Sequence, residues 1–122
     1  MMYFINPVED VNNRLKIIIA EVIKITQYIE WNLLRKLNKD TFAEMTLGQI
    51  IELVRQKELL PENKLNQLHT ILKRRNDITH QYFKRLDFEK HNQNLSFLNH
   101  QEKYLNNTLS MIQDFNTWLC SL

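Results

Sequence analysis

The sequence contains almost none of the residues that make tight turns: Gly48 is its only glycine, and Pro7 and Pro61 are its only prolines. A β-rich protein needs many such residues, because hairpin turns use backbone conformations that glycine, asparagine and proline adopt readily. Their scarcity favours an all-α fold. With 122 residues, the chain is long enough for one hydrophobic core but not for two. We therefore predict a single helical domain spanning residues 1–122.

Signals for disulfides, secretion and membrane insertion are also missing. Cys120 is the only cysteine, so no disulfide can form within the chain. Residues 1–10 lack the basic start and apolar run of a signal peptide. The most apolar stretch, Ile17 to Ile25, is interrupted by Glu21 and Lys24 and is too short to span a bilayer. We expect a cytoplasmic protein with no membrane partner.

The sequence likewise offers little to hold a metal or a cofactor. Its four histidines are spread out and have no partnering cysteine, which argues against a metal site. It has no glycine-rich loop that would cradle a phosphate group. Cys120 lies two residues from the end of the chain, which is a poor position for a supported nucleophile. We predict no metal and no cofactor.

Apolar residues recur at intervals of three and four in four segments, which is the spacing of a buried helical face. The segments are separated by short connections, a pattern typical of an antiparallel four-helix bundle, with room for an extra short helix. Thr46 and Gln49 have the spacing of a capping box. The predicted helices run from Pro7 to the cluster at 38–40, from Thr46 to the segment at 59–61, from about Asn63 to about Leu86, and from about Gln93 to the C-terminus, with Asp87–Asn92 as the last connection.

The third predicted helix carries most of the positive charge. The net charge of the chain is only +2. Between residues 64 and 85, however, a single acid, Asp77, opposes six basic residues: Lys64, Lys73, Arg74, Arg75, Lys84 and Arg85. Such a segment is a candidate contact for phosphate groups. The commoner explanation of a charge cluster is a solvated helix face.

Arg75 falls in the middle of the apolar face of this helix, between Leu72 and Thr79, when each residue advances by about 100°. Asn76 and His80 share one flank of the same face. Charged side chains are almost never buried without a partner. Arg75 therefore either opens onto a cleft or interface, or pairs with an acid of another helix. The candidate acids are Glu30, Glu44 and Glu52.

Arginine and histidine together suit the cleavage of RNA. Attack by the neighbouring 2′-hydroxyl needs a base for its proton and an acid for the leaving 5′-oxygen. Histidine can serve as either near neutral pH. Arginine stays charged and can hold two phosphate oxygens. Asn76 can orient the phosphate or His80. This chemistry requires no metal.

The Arg-Asn-x-x-x-His pattern at Arg75, Asn76 and His80 resembles the signature of the HEPN superfamily. The Thr-Leu-Gly-Gln sequence from Thr46 to Gln49 also looks like several HEPN branches. The resemblance implies a helical homodimer in which two copies of the motif form one RNase site. Many such proteins are toxins or antiviral-defence effectors that cut tRNA, mRNA or rRNA.

Carried over by position, Arg75 and His80 would be catalytic and Asn76 supporting. Arg74 also has a permitted spacing to His80, but Arg75 is preferred because Asn76 follows it directly. We expect the nearby basic residues to contact phosphate groups of the RNA: Lys73, Arg74, Lys84 and Arg85.

The motif extends to Tyr82, and this longer form is similar to that of the HepT toxins. Their partner nucleotidyltransferase antitoxin adds AMP to the tyrosine, so Tyr82 is a candidate modification site. A tyrosine on an apolar face is also a common core residue. Two other functions stay open. One is a non-catalytic HEPN domain that binds RNA, a nucleotide or a protein. The other is an unrelated helical interaction module.

Overall fold

The computed structural model describes residues 6–40 and 44–122, apart from the side chains of Gln81 and Tyr82. The candidate modification site at Tyr82 therefore lies outside the described side chains. The described residues form α-helices and no strand, which confirms the all-α prediction. The helices are α1 (Pro7–Lys36), α2 (Leu47–Gln56), α3 (Glu62–His91) and α4 (Leu95–Cys120).

Three of these helices begin where a polar side chain caps them. The Asn6 side chain accepts a hydrogen bond from the Val8 amide, and Pro7 occupies the first turn of α1. At α2, Thr46 and Gln49 form the predicted capping box, with both reciprocal hydrogen bonds present. Asn94 caps α4 by accepting from the amide of Phe97. These bonds satisfy backbone donors that have no partner within the helix.

Two predicted helix boundaries are wrong. The helix α2 ends at Gln56, before the segment at 59–61, because Glu58 takes a left-handed conformation with a φ of 52°. The predicted connection Asp87–Asn92 is mostly helix, since α3 continues to His91. The chain turns only after that, at Gln93, whose φ is 56°.

The long helices run in alternating directions, but α2 is too short to complete a regular bundle. Ion pairs join Lys16 to Asp87 and Glu30 to Arg75, so α1 and α3 are antiparallel. By contrast, Arg14 bonds Glu102 and Asn32 bonds Asn116, which makes α1 and α4 parallel. In a strict up-down-up-down bundle, the first and fourth helices would be antiparallel.

The core lies along the shared axis of α1, α3 and α4, closed at one side by α2. The apolar stripes predicted for α1, α2 and α4 are largely buried. On α3 the buried strip is centred on Ile71 and Ile78 and not on Arg75, so Leu72 is only half-buried and Thr79 is exposed. On α1, Ile25 is also buried.

None of the helices in the described residues is both long enough and apolar enough to cross a membrane. The long helices alternate buried apolar positions with exposed charged ones, as expected for helices with one solvated side.

Candidate functional site

A cleft of about 570 Å³ opens where the middle of α1, the first turn of α2 and the middle of α3 meet. The predicted motif lies in its wall, since Arg75, Asn76 and His80 all line it. The other residues of the wall are Ile23, Thr26, Gln27, Glu30, Met45, Thr46, Leu47, Gly48, Leu72 and Thr79. The capped start of α2 thus forms one side of the cleft, and the shifted apolar face of α3 forms another.

Arg75 has a partner inside the chain. Its Nη2 atom donates to Oε1 of Glu30 over 3.2 Å, and both side chains are about 25% exposed. Of the three acids that the sequence offered, α1 supplies this one because α1 and α3 cross here in opposite directions. The bond uses a single nitrogen, whereas a guanidinium and a carboxylate can share two. The Nε atom of Arg75 is buried and has no hydrogen-bond partner in the described structure.

The carboxyl group of Glu30 lies in the wall of the cleft and is largely removed from water. Burial raises the pKa of the Glu30 carboxyl above its usual 4.5, because removal from water disfavours the charged form. The positive charge of Arg75 acts in the opposite direction and offsets part of the increase. Burial therefore has a larger effect on the pKa of Glu30 than the neighbouring cation has.

Asn76 and His80 lie at the exposed rim of the cleft. His80 follows Arg75 by five residues, which turns it through roughly 140° around the helix. Arg75 therefore lies toward the floor and His80 toward the opening. Among the described residues, no hydrogen bond or ion pair fixes the His80 imidazole. A substrate that enters from the open side would meet His80 first.

A hydroxyl group supports the backbone at this point of α3. The Thr79 side chain donates to the carbonyl oxygen of Arg75 over 3.0 Å, with the carbonyl of Asn76 at 3.2 Å. Such back-bonding occupies the threonine hydroxyl within its own helix. Thr79 therefore contributes to the wall of the cleft mainly through its methyl group and its bulk.

The basic residues predicted to contact phosphate do not form one surface. Arg74 donates to Thr108 over 3.0 Å and lies over the Tyr104 ring, so it faces α4. Arg85 also faces α4, with its guanidinium carbon 5.3 Å from the centre of the Phe97 ring. Lys73 and Lys84 are exposed. Lys73 and Lys84, which lie seven residues before and four residues after His80, are on the flank of α3 that carries His80.

A cation from another helix joins that flank and was not anticipated from the sequence. Arg55 of α2 lies 2.8 Å from Nε2 of His69, measured from its Nη2 atom. His69 is on the same side of α3 as Lys73 and His80. The sequence carries no signal for this contact, because the spacing within one helix does not reveal which side chains of another helix face it.

No family model, curated protein or solved structure matches the chain. The functional conclusion therefore depends on the chemistry of the cleft.

Proposed function

We propose that the protein is a HEPN-type, metal-independent endoribonuclease that acts at the cleft lined by Arg75, Asn76 and His80. The observation that carries the proposal is that one cleft contains all three motif side chains, with Arg75 half-buried in its wall. A half-buried guanidinium at a water-accessible cleft is well suited to bind an anion, because fewer water molecules compete for its donors.

The proposed reaction is a transfer within the RNA backbone. The His80 imidazole removes the proton of a 2′-hydroxyl, and that oxygen attacks the adjacent phosphorus. The bond from phosphorus to the 5′-oxygen breaks, and a protonated imidazole gives the leaving oxygen its proton. Arg75 stabilises the extra negative charge on the phosphoryl oxygens in the transition state. The products are a 2′,3′-cyclic phosphate and a free 5′-hydroxyl.

A homodimer would supply the second proton-transfer group that the reaction needs. The reaction needs a base and an acid on opposite sides of the phosphorus, and each chain has one histidine at the cleft. Two copies related by a two-fold axis would place two His80 side chains about one phosphate. Phe83 supports this geometry, since it is 44% exposed and lies on the α3 flank that carries Asn76.

The resemblance to HEPN proteins extends the proposal to a toxin or antiviral-defence role. The substrate would then be a cellular RNA such as tRNA or mRNA. Control by an antitoxin, such as a nucleotidyltransferase that modifies Tyr82, belongs to the same proposal.

The bond between Arg75 and Glu30 favours a second candidate, a non-catalytic HEPN domain. An arginine that already pairs with an acid of another helix has a structural role and needs no catalytic one. In that case the cleft would bind RNA, a nucleotide or a partner protein without cutting it. The two candidates differ in whether RNA is cleaved.

Cleavage of RNA in the presence of EDTA tests the first candidate. We expect the wild type to produce 2′,3′-cyclic phosphate ends, and Arg75→Ala and His80→Ala to lose at least about a hundredfold in rate, which is typical for loss of a proton-transfer group or an oxyanion donor. His91→Ala is the matched control, because His91 is an exposed histidine of the same helix outside the cleft. It should cleave like the wild type.

Each variant should be checked by circular dichroism and thermal unfolding, because Arg75→Ala leaves Glu30 buried without its cation. Cleavage at the wild-type rate in Arg75→Ala and His80→Ala would point to a contaminating nuclease. An intact RNA pool with a folded wild type, tested over several RNA classes, would favour the non-catalytic domain.

A further inference from the structure

The pair formed by Glu30 and Arg75 places a negative charge at the position where the proposed function requires an anion to bind. The distance from Oε1 of Glu30 to Nη2 of Arg75 is 3.2 Å, within hydrogen-bonding range. A phosphate oxygen that accepts from the same N–H group of Arg75 must take a similar position. Glu30 and the phosphate group therefore compete for one donor.

We propose that Glu30 is a built-in competitor for phosphodiesters at this cleft, and that it lowers the affinity of Arg75 for RNA until a phosphate displaces it. The inference deepens the proposed function, since it rests on Arg75 as the phosphate-binding residue. It assigns Glu30 a regulatory role at the site.

The geometry of the pair favours displacement. Arg75 is held by a single bond to Glu30, so only one donor must change its partner. Its Nε atom is buried and has no hydrogen-bond partner among the described residues, so Glu30 does not fully satisfy the guanidinium. A phosphodiester offers two non-bridging oxygens to the guanidinium, whereas the carboxylate accepts through one.

The cost of keeping Glu30 charged also favours displacement. The carboxylate is only about 25% exposed, and its side chain lies in the wall of a cleft open to solvent. When an anion takes Arg75, repulsion between the two negative charges drives the Glu30 side chain outward or toward protonation. Both changes relieve a carboxylate that burial already disfavours.

The chain offers a matched control for the test. Glu102 of α4 pairs with Arg14 of α1 over 2.7 Å, and its side chain is 24% exposed, nearly the same as that of Glu30. Glu102 does not line the cleft. The variants Glu30→Gln and Glu102→Gln therefore make the same change in net charge, and each removes one carboxylate from an interhelical pair. Only the first removes it from the cleft.

The probe is a fluorescent, short 2′-O-methyl oligonucleotide, which cannot be cleaved because its 2′-oxygen carries no proton. Its dissociation constant is measured by fluorescence anisotropy at low salt. We expect Glu30→Gln to bind about tenfold more tightly than the wild type, as expected from removing one competing charged hydrogen bond. Glu102→Gln should change the affinity much less. Adding Arg75→Ala to Glu30→Gln should cancel the gain.

Glu30→Asp provides a second test should Glu30→Gln fail to fold. It keeps the charge but shortens the side chain by one methylene, so the carboxylate no longer reaches Arg75 at 3.2 Å. Binding should again tighten, by less than in Glu30→Gln. Unchanged or weaker binding in the folded Glu30 variants overturns the inference, as does an equal gain in Glu102→Gln.

The inference and the proposed function fail in different ways. If Glu30→Gln binds more tightly through Arg75 but no RNA is cut by the wild type, the competitor role stands and the ribonuclease is wrong. If the wild type cuts RNA in EDTA but Glu30→Gln neither binds more tightly nor lowers KM, the ribonuclease stands and the competitor role is wrong.

Discussion

At the scale of single residues, the energetics of the cleft depend on how Arg75 and Glu30 are buried together. A buried ion pair gains little net stability, because the loss of hydration opposes the attraction between the charges. The raised pKa of Glu30 indicates that for the carboxylate the loss of hydration is the larger effect. Such a pair is therefore expected to contribute little to the stability of the fold.

The raised pKa of Glu30 leads to a prediction for stability against pH. A carboxyl whose folded-state pKa exceeds its unfolded value of 4.5 binds a proton more readily in the folded protein. Above the folded-state pKa, the charged carboxylate therefore destabilises the folded protein to the full extent. This destabilisation is relieved as the pH falls through that pKa toward 4.5.

Replacing Glu30 by glutamine removes this titration. We expect Glu30→Gln to be more stable, relative to the wild type, at pH 7 than at pH 4. The free energy of unfolding of the variant minus that of the wild type should therefore be larger at pH 7. Urea unfolding at both values measures the two differences. Glu102→Gln serves as the control for a general change in net charge. A relative stability that moves in the opposite direction would show that Arg75 lowers the pKa of Glu30 below its usual value.

The residue pattern predicted this site only in part. The position of Arg75 on the apolar face indicated that the arginine would need either an acid or an open cleft, and the described structure contains both. The sequence offered three acids and had no means of choosing among them, because the choice depends on the crossing of α1 and α3. The contact of Arg55 with His69 could not be predicted either, because it depends on how α2 packs against α3.

At the scale of helices, the capped start of α2 fixes one wall of the cleft. Thr46 accepts from the Gln49 amide over 3.1 Å, and the Gln49 side chain accepts from the Thr46 amide over 2.9 Å. Thr46 and the next two residues line the cleft. The stability of this first turn therefore determines how well the cleft is formed.

Removing the cap should destabilise the protein and loosen that wall. We expect Thr46→Ala to lower the free energy of unfolding by about 1 kcal/mol, the usual effect of losing such a cap. Thr46→Ser keeps the hydroxyl and should restore most of it. Chemical denaturation of the three proteins measures the difference. Equal stability of the alanine and serine variants would mean that the hydroxyl does not cap α2.

Helix starts could be read from the sequence more accurately than helix ends. Asn6 and Thr46 cap through their own side chains, so residue type and spacing predict them. The end of α3 had no such signal, since the segment from Asp87 to His91 contains no capping pattern, glycine or proline and tolerates a helix as well as a loop. The chain turns there because Gln93 adopts a left-handed conformation before Asn94 caps the next helix.

At the scale of the whole molecule, the spacing of apolar residues does not predict the directions of the helices. An apolar stripe of given length packs equally well against a parallel or an antiparallel neighbour. The short α2 lets the chain cross over, so that α1 and α4 run in the same direction and α3 runs antiparallel to both. This crossover brings the first turn of α2 beside Glu30 and Arg75 and so assembles a cleft from residues that are far apart in sequence.

Two exposed phenylalanines of α3 differ in where they lie relative to the proposed dimer interface. Phe83 and Phe88 are both exposed phenylalanines of α3, at 44% and 64%. Phe83 follows Asn76 by seven residues, or about two turns, and so lies on the same flank. Phe88 is about 140° away around the helix. A dimer that pairs two clefts across α3 would bury the first and leave the second in solvent.

Phe83→Glu should therefore shift the protein from dimer to monomer in sedimentation velocity runs over a range of concentrations, and RNA cleavage should fall with the dimer fraction. The cause is the cost of burying a carboxylate in an apolar contact. Phe88→Glu makes the same chemical change outside the proposed interface and should leave both unchanged. A wild type that is monomeric at high concentration and still cuts RNA at full rate would contradict a shared site, because one chain would then supply both the base and the acid.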